Sequence, residues 1–149
     1  MFNWFKKANK KEGFKKYYKF APVLSMSVED SVKNEITSGK TVDTLEGTQK
    51  IKKGDVICKG VDGELWTMSK KRLEDKFDGP GDCLCGKDWK MWTPKKEKTV
   101  VLAEKQTEKG KIKTFEYKKG DYILKDVDNE DDVWVIDGKI FNKTYKKYD

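Results

Sequence analysis

Two stretches of this chain follow one plan, and that plan restricts the fold more than any other feature of the 149 residues. Lys53-Gly54-Asp55-Val56-Ile57-Cys58-Lys59-Gly60-Val61-Asp62-Gly63-Glu64-Leu65-Trp66 is answered by Lys119-Gly120-Asp121-Tyr122-Ile123-Leu124-Lys125, the acidic run Asp126 to Asp132, and Val133-Trp134. A shorter version lies between them, from Pro80-Gly81-Asp82-Cys83-Leu84-Cys85 to Trp89-Lys90-Met91-Trp92. Gly tolerates positive φ and Asp can bond its own downstream backbone, so each Gly-Asp reads as a turn. The few apolar or alternating residues that follow suit a strand and are too few for a helix. Asp62-Gly63 is a two-residue hairpin signal, lengthened to Asp128-Asn129-Glu130-Asp131-Asp132 in the last version. The returning strand delivers Trp66, Trp92 or Trp134, at 11, 10 and 13 residues after its Asp. Gly54, Asp55 and Trp66, Gly81, Asp82 and Trp92, and Gly120, Asp121 and Trp134 are therefore the expected structural anchors. Each indole buries roughly 150–250 Å².

The first and last versions share an ending. Ser69 and Asp137 are candidate helix caps, followed by Leu73 and Phe77 in one case and Phe141 and Tyr145 in the other, each pair four residues apart on one helical face. Upstream, Thr48-Gln49-Lys50-Ile51 corresponds to Thr114-Phe115-Glu116-Tyr117. The expectation is an α+β chain of two small, mainly antiparallel β modules in tandem, an internal duplication in which each copy closes with a short helix. The boundaries read as an arm over 1–20, a first module over 21–78, a seam hairpin and truncated copy over 79–93, and a second module over 94–149. Within the first module Ser27 caps a helix carrying Val28, Val32 and Ile36 and ending at Gly39. Thr41 to Leu45 and Thr48 to Ile51 flank Glu46-Gly47 as a hairpin. Thr99 to Ala103 and Ile112 to Tyr117 flank Glu108-Lys109-Gly110-Lys111 likewise.

With these residues in view, Thr44-Leu45-Glu46-Gly47-Thr48, Lys53-Gly54-Asp55, Gly60 to Trp66 and Phe77 resemble the small domain named for its Pro-Gly-Asp-Tyr-Gly signature. The resemblance covers Ala21 to Asp78 well and Pro94 to Asp149 less well. Lys53 and Lys119 replace the signature proline, which only Pro80 keeps. The resemblance implies a small α+β module of phage, prophage or viral origin, and it implies no enzymatic activity.

Composition locates the charge. The net charge is +7, with 40% charged and 36% hydrophobic residues and no His. Seven lysines, Lys6, Lys7, Lys10, Lys11, Lys15, Lys16 and Lys19, stand against Glu12 alone in the first 22 residues, so the arm holds +6 and the remainder is nearly neutral. Phe2, Trp4, Phe5, Phe14, Tyr17, Tyr18 and Phe20 interleave with them. Wound as a helix, Phe2, Trp4 and Phe5 fall opposite Lys6, Lys7, Lys10 and Lys11. Two readings stay open: a solvated, frayed terminus or a helix packing its aromatics on the chain's own body, or else a docking arm for a protein partner, nucleic acid or an anionic surface.

Most chemical motifs reduce to structure. Ser38-Gly39-Lys40-Thr41 ends like a phosphate loop but lacks the leading Gly, where Asn34 stands. The run Asp126 to Asp132 echoes a calcium loop without its required Gly and Glu. Cys58, Cys83 and Cys85 are expected as core thiols rather than a metal set. The absence of His removes the commonest general base. No stretch reaches the apolar length of a membrane span, and the start lacks a secretory h-region. An odd number of cysteines suits a reducing compartment.

The function expected from sequence is therefore a non-enzymatic, virus- or phage-encoded structural or interaction protein, a virion component or accessory that binds other particle proteins. Its place is the host cytoplasm or the particle, and no cofactor or metal is expected. The alternative is a nucleic-acid-binding accessory protein that uses the Lys/aromatic arm.

Overall fold

The computed structural model describes residues 13–86 and 88–149, which fall into two compact units. Both are β-rich, with a few short helices.

The first unit, Phe20–Lys98, is built on β2 (Val23–Ser27), β5 (Asp55–Lys59), β6 (Leu65–Ser69), β7 (Phe77–Asp82) and β8 (Lys90–Pro94). These pair antiparallel in the order β6-β5-β2-β8-β7. Alternation along the strands gives the sheet two apolar faces. Val23, Cys58 and Trp92 meet Leu73 of helix α2 (Lys70–Lys76) and Phe77, whereas Met26 and Ile57 meet Trp89. A two-stranded ribbon, β3 (Thr41–Thr44) with β4 (Gly47–Lys50), is tied to β6 by Gln49 Oε1 accepting from the Thr67 amide at 3.2 Å.

The second unit joins β1 (Lys15–Lys19) to Thr99–Asp149. Its strands β9 (Val100–Lys105), β12 (Tyr122–Asp126), β13 (Val133–Ile136) and β14 (Tyr145–Lys147) take β1 into a sheet ordered β13-β12-β9-β1-β14, again all antiparallel. Helix α3 (Gly138–Thr144) sets Phe141 against Val101, Ala103 and Leu124 on one face. The ribbon β10 (Gly110–Ile112) and β11 (Phe115–Tyr117) covers Ile123, Val133 and Val135 on the other.

The Gly-Asp turns at the head of β5 and β12 follow the expectation, with one change in direction. Gly54 and Gly120 have φ of +89° and +96°. The carboxylates reach backward rather than forward: Asp55 Oδ2 accepts from the Lys52 amide at 2.8 Å, and Asp121 Oδ2 from the Lys118 amide at 2.9 Å. Ser69 Oγ accepts from the Arg72 amide at 3.1 Å, and Asp137 Oδ1 from those of Lys139 and Ile140 at 2.9 and 3.2 Å, which makes both the caps that were expected. The helices stop at Lys76 and Thr144, so Phe77 and Tyr145 open β7 and β14 instead of completing a helical face. The tip of Asp126 to Asp132 closes on its own backbone, with the Asp126 amide on the Asp132 carbonyl and the Asp132 amide on that of Asn129.

Other expectations change. The helix after Ser27, α1 (Val28–Lys33), has six residues. It ends before Ile36 because Glu35 takes a positive φ of 60°, and Val32 faces solvent. Thr99 to Ala103 does not pair with Ile112 to Tyr117; β9 lies between β12 and β1, and the ribbon turns at Lys113 (φ 53°). Nor does 79–93 form a shortened third copy. Gly81 and Asp82 end the exposed edge strand β7, where Pro80 removes no ladder bond the sheet needs. Trp92 sits on β8, an interior strand, opposite Val23, and donates through Nε1 to Ser25 Oγ at 2.8 Å. Lys15–Lys19 is no appendage: it is an interior strand of the second sheet, so the 1–20 boundary moves.

Gly138 is fixed by a close approach and not by its φ. A Cβ at Gly138 would run into the backbone carbonyl of Gly120, which cannot swing aside. Gly138→Ala is expected to cost about 1–3 kcal/mol through overpacking, read as a lower denaturant midpoint at constant slope. An unshifted midpoint would show that the Gly120 turn yields.

Candidate nucleic-acid interface

The second unit brings the two basic ends of the chain side by side. Along β1 the sequence Lys15-Lys16-Tyr17-Tyr18-Lys19 alternates across the sheet, as does Tyr145-Lys146-Lys147 along β14. Pairing sets Tyr17 opposite Lys147, Tyr18 opposite Lys146 and Lys19 opposite Tyr145, and the Tyr148 amide donates to the Lys16 carbonyl at 3.0 Å. Tyr17 and Tyr145 turn inward. Tyr17 meets Phe141 edge-on at 5.0 Å, and Tyr145 stacks on Phe141 at 5.1 Å. Lys16, Tyr18, Lys146 and Tyr148 consequently share the opposite face. Tyr18 and Tyr148 lie half-buried in an edge contact at 6.2 Å, and Lys16 and Lys146 are exposed beside them.

Charge at this place is one-sided. From residue 13 to 19 and from 138 to 149 the chain holds Lys15, Lys16, Lys19, Lys139, Lys143, Lys146 and Lys147, with Asp149 the only acidic side chain. Tyr18 and Tyr148 on one sheet face, with Lys16 and Lys146 beside them, offer the two kinds of group single-stranded nucleic acid needs: aromatic rings for bases and ammonium groups for phosphates.

A cleft of about 380 Å³ opens at the head of β1, lined by Gly13, Lys15, Tyr17, Ala103, Glu104, Lys105 and Tyr122. Burial, and secondarily the neighbouring Tyr17, push the Tyr122 phenol above its ordinary 10.0. Such a phenol stays protonated at neutral pH and is available as a hydrogen-bond donor.

The sequence-derived site residues divide three ways. Phe2, Trp4, Phe5, Lys6, Lys7, Lys10 and Lys11 lie outside the described residues. Lys15, Lys16 and Lys19 are brought together on β1, where they gain Lys146, Lys147 and Tyr148 as neighbours that sequence reasoning missed. The signal was present, because Tyr145 to Tyr148 repeats the Lys/Tyr alternation of Lys15 to Lys19, but only strand pairing joins the two ends. The anchors Gly54, Asp55, Gly120 and Asp121 hold turns. Trp66 and Trp134 pair with Cys58 and Leu124 and are half-buried on the helix-covered faces, and Trp92 is the fully enclosed indole.

The cysteines depart from expectation. Cys58 is a buried core thiol, but Cys83 and Cys85 lie in the loop after β7, joined to each other as a disulfide rather than sharing a buried face. Ser38 Oγ folds back to accept from the amides of Lys40 and Thr41, a local turn ahead of β3. Among the described residues, no group of three or more Cys, Asp or Glu side chains is placed to hold a metal ion, and no helix is long and apolar enough to cross a membrane.

No protein-family model matches the chain, and neither a curated protein nor a solved structure matches it.

Proposed function

We propose that this is a non-enzymatic interaction protein whose β1–β14 strand pair, continued by the N-terminal arm, binds single-stranded nucleic acid. The observation that carries the reading is the convergence of both basic chain ends on adjacent strands, with Tyr18 and Tyr148 set among their lysines. The particle-component reading implied by the PGDYG resemblance predicts a protein partner instead, held through Phe2, Trp4 and Phe5 with little dependence on salt.

Titrating a fluorescent single-stranded oligonucleotide at several salt concentrations tests this. Each lysine–phosphate contact contributes about 0.7 to the slope of log affinity against log salt for single strands. Lys16→Gln with Lys146→Gln is therefore expected to lower that slope by roughly 1.4. Tyr18→Ala is expected to cost about 1–3 kcal/mol of affinity at every salt concentration if a base stacks there. Absence of binding at low salt ends the nucleic-acid reading. Binding that ignores both lysines moves it off this strand pair.

We also read the two units as copies of one ancestral module, the second circularly permuted. The support is the pairing register. Adding 78 to β2, 66 to β5 and 68 to β6 and β7, and subtracting 75 from β8, converts their partners into those of β9, β12, β13, β14 and β1, except for Asp55 with Ser69 and for the Gly81 and Asp82 pairs beyond the bulge in β7; adding 68 to α2 gives α3. Thus Ser25 opposite Cys58 becomes Ala103 opposite Leu124, and Val23 opposite Trp92 becomes Val101 opposite Tyr17. On this reading Phe20–Lys98 folds when expressed alone, whereas Thr99–Asp149 folds only when Gly13–Lys19 is restored, most simply by a linker after Asp149. Failure of the relinked fragment to give a cooperative melt would refute the permutation.

A further inference from the structure

The loop between β7 and β8 is built to present two sulfurs to solvent. Cys83 and Cys85, two positions apart with Cα atoms 5.2 Å from each other, are joined across Leu84, which is fully exposed. Cys85 is exposed and Cys83 half-exposed. Behind the tip the loop is anchored. Trp89 is buried against Met26 and Ile57 with the Lys59 ammonium 4.8 Å over its ring, and Asp88 Oδ2 accepts from Asn34 Nδ2 at 3.0 Å. The third cysteine, Cys58, is wholly enclosed in the opposite face of the sheet.

A bond in this place does little for stability. A disulfide restrains the unfolded chain in proportion to the logarithm of the loop it closes, and this one closes three residues, near the minimum. It links no two elements, since β7, β8 and the Trp89 anchor are held by pairing and packing. The exposed position of Cys85, with Cys83 half-exposed beside it, instead opens the bond to attacking thiolates, the circumstance in which a disulfide is exchanged rather than structural.

We propose that Cys83–Cys85 is a thiol–disulfide exchange site, a two-electron couple that trades with thiols and disulfides of a protein partner. Reduction begins with a partner thiolate attacking Cys85 Sγ. The Cys83–Cys85 bond breaks, Cys83 leaves as thiolate and takes a proton from solvent, and a mixed disulfide joins Cys85 to the partner. A second partner thiolate then attacks the partner's own sulfur in that mixed disulfide and expels the Cys85 thiolate. The partner dithiol has been oxidised to a disulfide and the loop has gained two electrons and two protons. Oxidation runs the same steps in reverse. Leu84, carried between the sulfurs, is the apolar contact such a partner would cover.

The test uses the full chain equilibrated without oxygen in graded mixtures of reduced and oxidised glutathione, quenched with acid, unfolded and labelled with a mass-tagging maleimide. The expected populations carry one tag or three, because the buried Cys58 stays a thiol while Cys83 and Cys85 change together at one midpoint. Cys58→Ser should keep that midpoint and lose one tag throughout. Cys83→Ser should collect a single glutathione on Cys85. Dithiothreitol should reduce the native chain as readily as the urea-unfolded chain, and the melting temperature should not fall on reduction. Three tags at every glutathione ratio would show that the bond does not form and overturn the proposal. Reduction that needs unfolding, or that melts the unit, would make the bond a structural staple and overturn it equally.

Discussion

A chain cut after Lys19 is expected to lose the unit formed by Thr99–Asp149. The cut removes β1, which pairs with β9 along Lys15–Tyr18 and with β14 along Tyr17–Lys19. Without it β14 loses the strand beside it, because among the described residues β1 is its only partner in the sheet order. Tyr17 also leaves its edge contact with Phe141. Two ladders and a core aromatic amount to most of the roughly 5–15 kcal/mol that a small domain holds in reserve. Thermal melting with hydrogen exchange checks this: amides of β9, β12 and β14 should exchange at the rate of unfolded chain while those of β2 and β5 keep their protection. A melt indistinguishable from that of the full chain, the outcome for an arm that only docks, would mean β1 contributes nothing to its sheet. A cut after Glu12 leaves every β1 pairing in place. Nucleic-acid affinity lost with that shorter cut belongs to the arm, and affinity that survives it belongs to the strand pair.

This reversal shows where sequence reading stops. Local chemistry was legible. The caps Ser69 and Asp137, the turns before Asp55 and Asp121, the hairpin over Glu46-Gly47 and the open tip at Asp126 to Asp132 each depend on residues a few positions apart, whose preferences act before any tertiary contact forms. Pairing between distant segments was not legible. A basic, aromatic terminus looks like an appendage because Lys15, Lys16 and Lys19 are expensive to bury. As a strand, however, its alternation hides Tyr17 and leaves lysine heads at the surface. The same blindness produced the supposed third copy. Gly81-Asp82 and Trp92 match the spacing of the true turns, yet Trp92 is buried because β8 inserts between β2 and β7, a consequence of sheet order and not of spacing. Of the candidate interface, Lys15, Lys16 and Lys19 were visible in the arm, and Lys146 and Lys147 waited on the register that sets Lys146 against Tyr18.

Phe141→Ala is expected to be among the most damaging single truncations in its unit. Phe141 is 2% exposed, and three tyrosines from three strands converge on it. Tyr122 of β12 stacks at 3.8 Å and 12°, Tyr145 of β14 stacks at 5.1 Å and 6°, and Tyr17 of β1 meets it edge-on at 75°. Burial alone sets a cost of about 3–5 kcal/mol for removing such a ring. The aromatic pairs add roughly 0.5–1.5 kcal/mol each before relaxation recovers part of it. Trp134 offers the contrast. Half-buried on the same face, it should cost about 2 kcal/mol on truncation, below the full-burial figure that its sequence register suggests. Phe141→Leu, which keeps most of the volume and loses the stacking, should fall between. Urea midpoints of the three variants at constant slope order them directly. If Trp134→Ala proves costlier than Phe141→Ala, the indole and not the tyrosine cluster holds this sheet to its helix, and the link from β1 through Phe141 to β14 must be given up.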